Sequence, residues 1–342
     1  MPFSATRITR LALILGGLAM VSAMGGCTAF STSAQEPEPS SAGPKQLTVT
    51  SPWLYPLETI NGGLTGNNFA GNAFQRLQRP VAVAVRDHQL YIVDAGQQML
   101  YLYDDVTKRM STLKDLRSVV SGDVPDIYVA ADRSYYLADA GGRRVLHFDR
   151  NGQLMQTFQD SLNLARPVAV SVDETNGDVY VADGLFDHVM VFNSAGEPWR
   201  MIGDRGTGDG EFLNITAMTR GPDGVYITAR LGKRGQVMDQ KTGKFRYAFD
   251  KDTIVFPNGI AVDQMTDLAY VSDFFDNSIK IFKHGHWLAT VGGNGASPGR
   301  FKGITDVALE DGFLYVADSL NGRIQVFRVT SGAPSAKKAS SN

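Results

Sequence analysis

The chain of 342 residues is poor in the residue types that most chemistry and cross-linking require. It has one cysteine, Cys27, and five histidines, and its formal net charge at pH 7 is only −2. After Cys27 neither a disulfide nor a thiolate metal site can form, so the fold must be stabilised by burial and backbone pairing. The weak acidic charge disfavours a nucleic acid as partner. No Ser-His or Cys-His arrangement has a spacing that would indicate nucleophilic catalysis.

Long hydrophobic runs are also scarce. LALILGGLAMVSAM contains 14 residues, fewer than the roughly 20 of a membrane-spanning helix. It follows Arg7 and Arg10, and this order predicts a signal peptide over residues 1–26. Because this segment contains no acidic residue, its removal changes the net charge to −4.

The next residues bear on how the protein is anchored. MGGC, ending at Cys27, resembles a bacterial lipobox, and this resemblance implies that Cys27 is lipidated and becomes the first residue. The alternative is an ordinary signal peptide beside an unrelated cysteine. By the sorting rule of such lipoproteins, Thr28 after the lipidated cysteine implies an outer-membrane anchor, with the protein facing the periplasm.

Two segments have the composition of flexible chain. Residues 27–45 are small, polar and proline-containing, and residues 331–342 read SGAPSAKKASSN. We expect a tether in the first and a disordered tail in the second.

Between these ends one pattern recurs in six units, with a strand of the form Tyr-apolar-small-Asp in five of them and VYITA in the fourth. The tyrosines are spaced by 45, 44, 46, 44 and 45 residues, at Tyr91, Tyr136, Tyr180, Tyr226, Tyr270 and Tyr315. Six units of this length, each with several short period-2 strands, predict an all-β, six-bladed β-propeller over residues 46–330.

The units resemble NHL repeats. GDRGTGDGEFLNITAM and GGNGASPGRFKGITDV look like the glycine-rich linker of that family, and DSLNGRIQVF and DNSIKIF look like its turn between the second and third strands. The resemblance covers nearly all of residues 60–329 and implies a propeller of the NHL type.

The last repeat is short of a strand. It offers GITDVAL, FLYVADS and RIQVFRV, whereas QLTVTSPWLYPLETINGG precedes the first repeat. We therefore expect the N-terminal segment to supply the outer strand of the last blade, which removes a free sheet edge and closes the ring.

Counting back from each tyrosine places one residue of every unit at the start of its innermost strand. These six residues are Val81, Asp126, Val168, Asn214, Asn258 and Thr305. Four of them carry a side-chain oxygen. Oxygens that converge on an axis are the ligands Ca²⁺ prefers, so Asp126, Asn214, Asn258 and Thr305 are candidate ligands at the channel mouth.

PNGIAVD, residues 257–263, resembles the segment in which the gluconolactonase and regucalcin family binds its metal through the asparagine. The resemblance implies a ligand role for Asn258. Asn-Gly is also a turn dipeptide in its own right, and the other ligands of that family have no matching motif here. We favour the turn interpretation.

Other repeated positions favour structural roles. The aspartates that end the Tyr-x-x-Asp strands are expected to accept backbone N–H bonds in the turns that follow; they are Asp94, Asp139, Asp183, Asp273 and Asp318. His188 occupies the position that holds an arginine in three other units, which indicates a loop brace.

Unit four departs from the pattern, with Ala229 in place of the aspartate and a basic loop after it. The neighbouring loops carry large apolar residues. The predicted partner-binding set is Leu185, Phe186, Arg230, Lys233, Arg234, Phe274 and Phe275. Exposed apolar side chains beside basic ones are typical of a protein-binding patch; the alternative is that the phenylalanines pack between blades.

Two functions remain open. One is a lipid-anchored scaffold that binds a protein, glycan or peptide at its top face. The other is a hydrolase or lyase of the gluconolactonase or amidating-lyase type, in which a divalent ion polarises a carbonyl. The incomplete ligand set favours the first.

Overall fold

The computed structural model describes residues 51–66 and 73–330. The predicted signal peptide 1–26, the tether 27–45 with Cys27, and the tail 331–342 lie outside the described residues. Within the described ranges, no helix has the length and apolar character needed to cross a bilayer.

The regular secondary structure of the described chain is almost entirely β-strand. Three strands precede the first complete repeat: β1 Leu54–Ile60, β2 Gly62–Thr65 and β3 Ala73–Arg76. Blade one contains β4 Pro80–Arg86, β5 Gln89–Asp94, β6 Met99–Asp104 and β7 Arg109–Asp115, and β2 and β3 extend its outer edge. Blade two contains β8 Ile127–Val129, β9 Tyr135–Asp139, β10 Arg144–Phe148 and β11 Leu154–Phe158. Blade three contains β12 Pro167–Asp173, β13 Asp178–Asp183, β14 His188–Phe192 and β15 Pro198–Ile202.

The second half repeats this order. Blade four contains β16 Asp204–Arg205, β17 Glu211–Gly221, β18 Gly224–Leu231, β19 Gly235–Met238 and β20 Phe245–Ala248. Blade five contains β21 Pro257–Val262, β22 Leu268–Asp273, β23 Ser278–Lys283 and β24 His286–Gly292. Blade six contains β25 Ile304–Glu310, β26 Phe313–Asp318 and β27 Arg323–Val329. Short 3₁₀ helices occur at Leu116–Ser118 and Ser319–Asn321.

The sheets form a closed ring around a channel. The innermost strand of each blade contacts that of the next, in the cycle β4, β8, β12, β17, β21, β25 and back to β4. The six sheets are therefore the blades of a β-propeller, and the predicted fold is confirmed. We call the face where the innermost strands begin the top face.

Period-2 alternation explains how the blades stack. In β5, Leu90 and Ile92 pack into the cluster shared with blade six, whereas Tyr91 and Val93 pack into the cluster shared with blade two. Successive side chains of a strand point to opposite faces, so one apolar strand serves two interfaces. The tyrosine of every repeat is buried in the cluster shared with the following blade.

The ring closes through the N-terminal strand, as predicted. β1 pairs antiparallel with β27, from Leu54 opposite Val329 to Ile60 opposite Ile324. Leu54 is fully buried beside Phe301 and Phe327. Closure thus depends on a strand taken from the opposite end of the chain.

A matched pair of substitutions in β1 tests this dependence. Leu54 is fully buried and Leu57 is 44% exposed. We expect Leu54→Ala to lower the free energy of unfolding by about 2–5 kcal/mol, because it leaves a cavity at the closing sheet. Leu57→Ala should change it by no more than about 0.5 kcal/mol. Urea unfolding followed by fluorescence measures both, and equal effects would contradict the closure.

Candidate functional site

Buried aspartates fix the loops of the top face. Asp94 has no exposed surface and accepts N–H bonds from Gln78, Arg79, Gly96 and Gln97 at 2.7–3.2 Å. The first two donors lie in the linker that enters β4, and the last two in the turn after β5. The predicted turn-capping role is therefore confirmed, and the same carboxylate also holds the linker.

Other repeats use the same device. The carboxylates of Asp183 and Asp273 each accept bonds from both the linker and the following turn. Asp139 makes both kinds of contact as well, whereas Asp318 accepts the linker N–H of Lys302 but no backbone N–H from the turn after it, so its predicted turn-capping role was wrong.

The predicted brace at His188 is also present, since its Nε2 lies 2.8 Å from the carbonyl oxygen of Asn163. In blade four Arg234 occupies the equivalent position and donates to the carbonyl oxygen of Ile254 at 2.8 Å.

A β-bulge marks the start of the innermost strand in five blades. The pairing skips one residue there, and the skipped residues are Val81, Val168, Thr216, Asn258 and Thr305. A bulge leaves its extra residue outside the ladder and redirects the side chain. We call this set the bulge ring; its members line the mouth of the channel.

Asn258 is therefore a bulge residue within β21 rather than the residue of a turn before the strand. Its backbone is not left-handed, its side chain is half-buried, and its Nδ2 donates to the carbonyl oxygen of Ile304 at 3.4 Å. The favoured turn interpretation was wrong in its geometry. Whether Asn258 binds a metal stays a prediction.

Two of the six residues predicted to start the innermost strands, Asp126 and Asn214, do not lie at the bulge position. The N–H of Ala138 donates to the carbonyl oxygen of Asp126, so Asp126 lies opposite Ala138 in the sheet. This register makes Asp126 the equivalent of Ala82, one residue beyond the bulge. Asn214 lies two residues before the bulge residue Thr216 and has a left-handed φ of 61°. The prediction that these six residues occupy equivalent positions was wrong, because the turn between the first and second strands differs in length from blade to blade.

The position after the bulge forms a second ring, lower in the channel. It holds two carboxylates among small residues: Ala82, Asp126, Ala169, Ala217, Gly259 and Asp306. A Cβ on Gly259 would lie 2.7 Å from Asp306 Oδ1, so the carboxylate occupies space that any other residue would fill. We call this set the lower ring.

Both lower-ring carboxylates connect neighbouring blades. Asp126 accepts N–H bonds from Ile127 and, in blade three, from Val170, both at 2.8 Å. Asp306 accepts the N–H of Val307 at 2.8 Å and that of Val83 in blade one at 2.9 Å. Burial raises the pKa of Asp126 to about 6. Burial, followed by the nearby charge of Asp126, raises the pKa of Asp306 well above its ordinary value.

Above these rings lies a cavity of about 280 Å³, which we call the mouth pocket. Its polar lining comprises Arg79, Asp123, Arg166, Asn214, Thr216, Arg230, Asn258 and Thr305. The structure thus brings Asn214, Asn258 and Thr305 together, as predicted from the sequence. Asp126 lines the lower channel instead.

Arg230 has no hydrogen bond or ion pair from its side chain to the described residues. Its guanidinium lies over the ring of Phe256, 4.1 Å from the centroid, and its buried Nε has no partner. Burial and the nearby charge of Arg166 lower the pKa of Arg230. A guanidinium nevertheless stays protonated at physiological pH.

The departure of blade four from the repeat explains where Arg230 lies. Ala229 cannot cap a turn, so β18 continues to Leu231, which pairs with Leu213. Asp187 of blade three, which is almost fully buried, accepts the N–H of Ile215 at 3.1 Å and braces the linker in place of the missing aspartate. Strand pairing therefore carries Arg230 to the mouth pocket.

The predicted apolar patch is exposed. The exposed fractions are 52% for Leu185, 38% for Phe186, 39% for Phe274 and 70% for Phe275. The alternative interpretation, in which the phenylalanines pack between blades, is therefore wrong. Lys233 is exposed and pairs with Asp209.

Sequence reasoning missed Arg79, Arg166 and Phe256. The sequence did contain a sign that Arg79 and Arg166 are equivalent, because RPVAV occurs at residues 79–83 and again at 166–170. The carbonyl oxygens of Arg79, Asp123, Arg166 and Phe256 all accept the N–H that follows the second strand, so these residues share one level of the repeat. Arginine at this position in two blades places both residues in the lining of the mouth pocket.

A different polar cluster lies at turns on the opposite face. His284 Nδ1 is 2.6 Å from Asp267 Oδ2 and 3.0 Å from Asp223 Oδ2. Tyr226 donates to Asp267 at 2.8 Å and Tyr247 to Asp223 at 2.7 Å. Two carboxylates and an imidazole could ligate a metal, but in this arrangement the side chains satisfy one another.

Comparison with solved structures supports the fold. A gluconolactonase from Xanthomonas campestris matches with a TM-score of 0.60 and 12% identity, over 82% of this chain and 99% of that chain. Virginiamycin B lyase from Staphylococcus aureus matches with a TM-score of 0.56 and 12% identity, over 80% and 98%. A protein of unknown function from Bacteroides thetaiotaomicron matches with a TM-score of 0.61 and 17% identity, over 80% and 75%. At these identities the likeness shows the propeller fold alone.

Sequence comparisons do not define a family. No protein-family model matches the chain. Protein translocase subunit SecA 2 of Mycobacterium bovis and of Mycobacterium tuberculosis is 23% identical over 202 residues, 56% of this chain. The chain spans only 25% of the length of these curated relatives.

The raised pKa values in the lower ring predict a pH dependence of stability. A carboxyl whose pKa rises on folding stabilises the folded state below its unfolded value of about 4, and this contribution is lost as the pH rises through the folded value. For Asp126 the window is therefore about pH 4 to 6. We expect Asp126→Asn to make the fall in the free energy of unfolding across this window shallower, measured by urea unfolding at successive pH values.

Asp239 provides the control, because its pKa is lowered to about 2, first of all by the backbone N–H of Thr242. Asp239→Asn should leave the slope between pH 4 and 6 unchanged. An unchanged slope in Asp126→Asn as well would show that the lower ring does not titrate in this way.

Proposed function

We propose that the protein is a non-catalytic binding propeller of the NHL type in the bacterial cell envelope, whose top face binds a protein partner. We further propose that it is anchored to the outer membrane through lipid on Cys27 and faces the periplasm. The anchor rests on the lipobox-like MGGC sequence and on Thr28, and the binding role rests on the geometry of the top face.

The observation that carries the binding role is an aromatic and cationic path across the top face. The rings of Phe274 and Phe256 lie 5.8 Å apart, and the guanidinium of Arg230 stacks on Phe256. Exposed Phe275 and Leu185 belong to the same set of top-face loops. Aromatic and arginine side chains supply a large share of the binding energy in protein interfaces.

The lining of the mouth pocket also favours binding over catalysis. Among the described residues that form it there is no histidine, cysteine, serine or lysine. The acidic residue among them, Asp123, is exposed. These groups can hold and orient a ligand, but they offer no general base paired with a nucleophile.

A second candidate is a divalent-metal hydrolase or lyase. It is favoured by the convergence of Asn214, Asn258 and Thr305 at the mouth pocket, where Ca²⁺ would find amide and hydroxyl oxygens. Against it, Asp126 lies below this level, and both of its oxygens accept backbone N–H bonds.

Calorimetric titration with Ca²⁺ separates the two candidates. Because arginines surround the pocket, we expect no saturable binding at micromolar Ca²⁺ to the full chain in mild detergent, and no difference between wild type and Asn258→Ala. Tight binding to wild type that is lost in Asn258→Ala would instead favour the metal-dependent enzyme.

Charge reversal tests the partner-binding proposal. We expect Arg230→Glu with Lys233→Glu to remove the partner that wild type retains from an extract of its own cell envelope, because the cationic part of the face becomes repulsive. Cross-linking and mass spectrometry would compare the retained proteins. Arg150→Glu, in an exposed turn on the opposite face, is the control. An unchanged set of partners in the double variant would overturn the proposal.

A further inference from the structure

Three arginines contribute to the lining of the mouth pocket. Arg79 and Arg166 come from equivalent linkers of blades one and three, and Arg230 comes from the end of β18 in blade four. Among the described residues of this lining, the only acidic one is Asp123. This lining is strongly cationic, although the whole chain carries a formal charge of −2.

These arginines are not neutralised by the protein itself. Within the described residues no salt bridge involves Arg79, Arg166 or Arg230. The Arg166 side chain donates to the carbonyl oxygen of Gly184, and the side chains of Arg79 and Arg230 donate no hydrogen bond to any residue in the described ranges. Arg79 and Arg166 are exposed and Arg230 is half-buried, so Arg230 is the arginine that loses hydration without a compensating partner.

Of the three arginines, Arg230 gives the strongest indication of a missing ligand. Its Nε is buried without a partner, and stacking on Phe256 holds the guanidinium plane in place. The charge of Arg166 acts against the charged form of Arg230. An anion that enters the pocket would relieve the repulsion between the guanidinium groups of Arg166 and Arg230.

The remaining lining indicates the kind of anion. Val81, Val124, Val168 and Ile215 supply apolar walls, and Asn214 and Asn258 supply amides. The volume of about 280 Å³ is near the lower limit of pockets that hold small ligands, roughly 300 Å³. A carboxylate on an aliphatic stem matches arginines above valine walls, because guanidinium groups bind carboxylates through paired N–H bonds.

We propose that the mouth pocket is an oxyanion site in which Arg79, Arg166 and Arg230 hold a carboxylate presented by the protein partner. The assignment rests on the proposed function for the source of the carboxylate, which is an acidic side chain or the end of a chain. Phosphate shares the same chemistry and is the alternative that the experiment distinguishes.

Calorimetry on the full chain in mild detergent tests the site directly. The probes are citrate, glutarate, its neutral diamide and inorganic phosphate. We expect citrate and glutarate to bind, the diamide not to bind, and citrate affinity to fall when NaCl is raised from 50 to 500 mM, because salt screens the attraction. Arg166→Gln and Arg230→Gln should each weaken citrate binding at least tenfold.

Two further variants guard against indirect effects. Arg150→Gln removes the same charge from the opposite face and should leave citrate binding unchanged. Arg79→Gln changes an exposed side chain, so it should weaken binding without lowering the melting temperature. Absence of citrate binding to wild type, or equal affinity in wild type and Arg230→Gln, would overturn the proposal. Tighter binding of phosphate than of the carboxylates would overturn the carboxylate assignment.

The site and the partner-binding role can fail separately. Phe275→Ser alters the exposed patch outside the pocket lining, and we expect it to weaken partner retention while citrate binding stays as in wild type. If citrate binds as expected but no variant changes the retained partners, the proposed function is wrong and the oxyanion site stands. If partner retention depends on Phe275 but citrate never binds, the oxyanion site is wrong.

Discussion

Every blade of this protein depends on its two neighbours to bury its apolar faces. The second strand of each repeat sends alternate side chains into two interfaces, and its tyrosine always enters the interface with the following blade. A linear stack of such sheets would leave an apolar face exposed at each end. Ring closure solves this problem, and the pairing of β1 with β27 completes it without a disulfide.

Repeated polar contacts then hold the loops on one face. The buried aspartate at the end of the second strand ties the turn and the linker to one carboxylate, and arginine or histidine side chains brace the loops from within. Because these contacts satisfy the backbone, residues beside them are free to differ between blades. The distinctive features of the top face arise where blade four abandons this scheme at Ala229.

The channel is divided electrostatically along its axis. Arginines lie at the mouth, and the carboxylates of Asp126 and Asp306 lie below them, where they connect blade two to blade three and blade six to blade one. An anion attracted to the mouth would meet negative charge or protonated carboxyls lower down. The arrangement therefore favours a ligand that stays at the top face, close to the exposed aromatic side chains.

The amino-acid sequence by itself determined the blade number, the positions of the repeated tyrosines, most of the turn-capping aspartates and the closing strand. These features follow from periodicity, from strand alternation and from the need to remove a free edge, all of which are local or repeat along the chain. Only the tertiary structure decided which residues share a level at the mouth. Because the turns differ in length, Asp126 and Asn214 occupy positions of the repeat other than that of Asn258, and a β-bulge sets the direction of the side chains at its own position. Likewise Arg79, Arg166 and Arg230, far apart in the sequence, come together because ring closure brings the linkers and loops of separate blades to one axis.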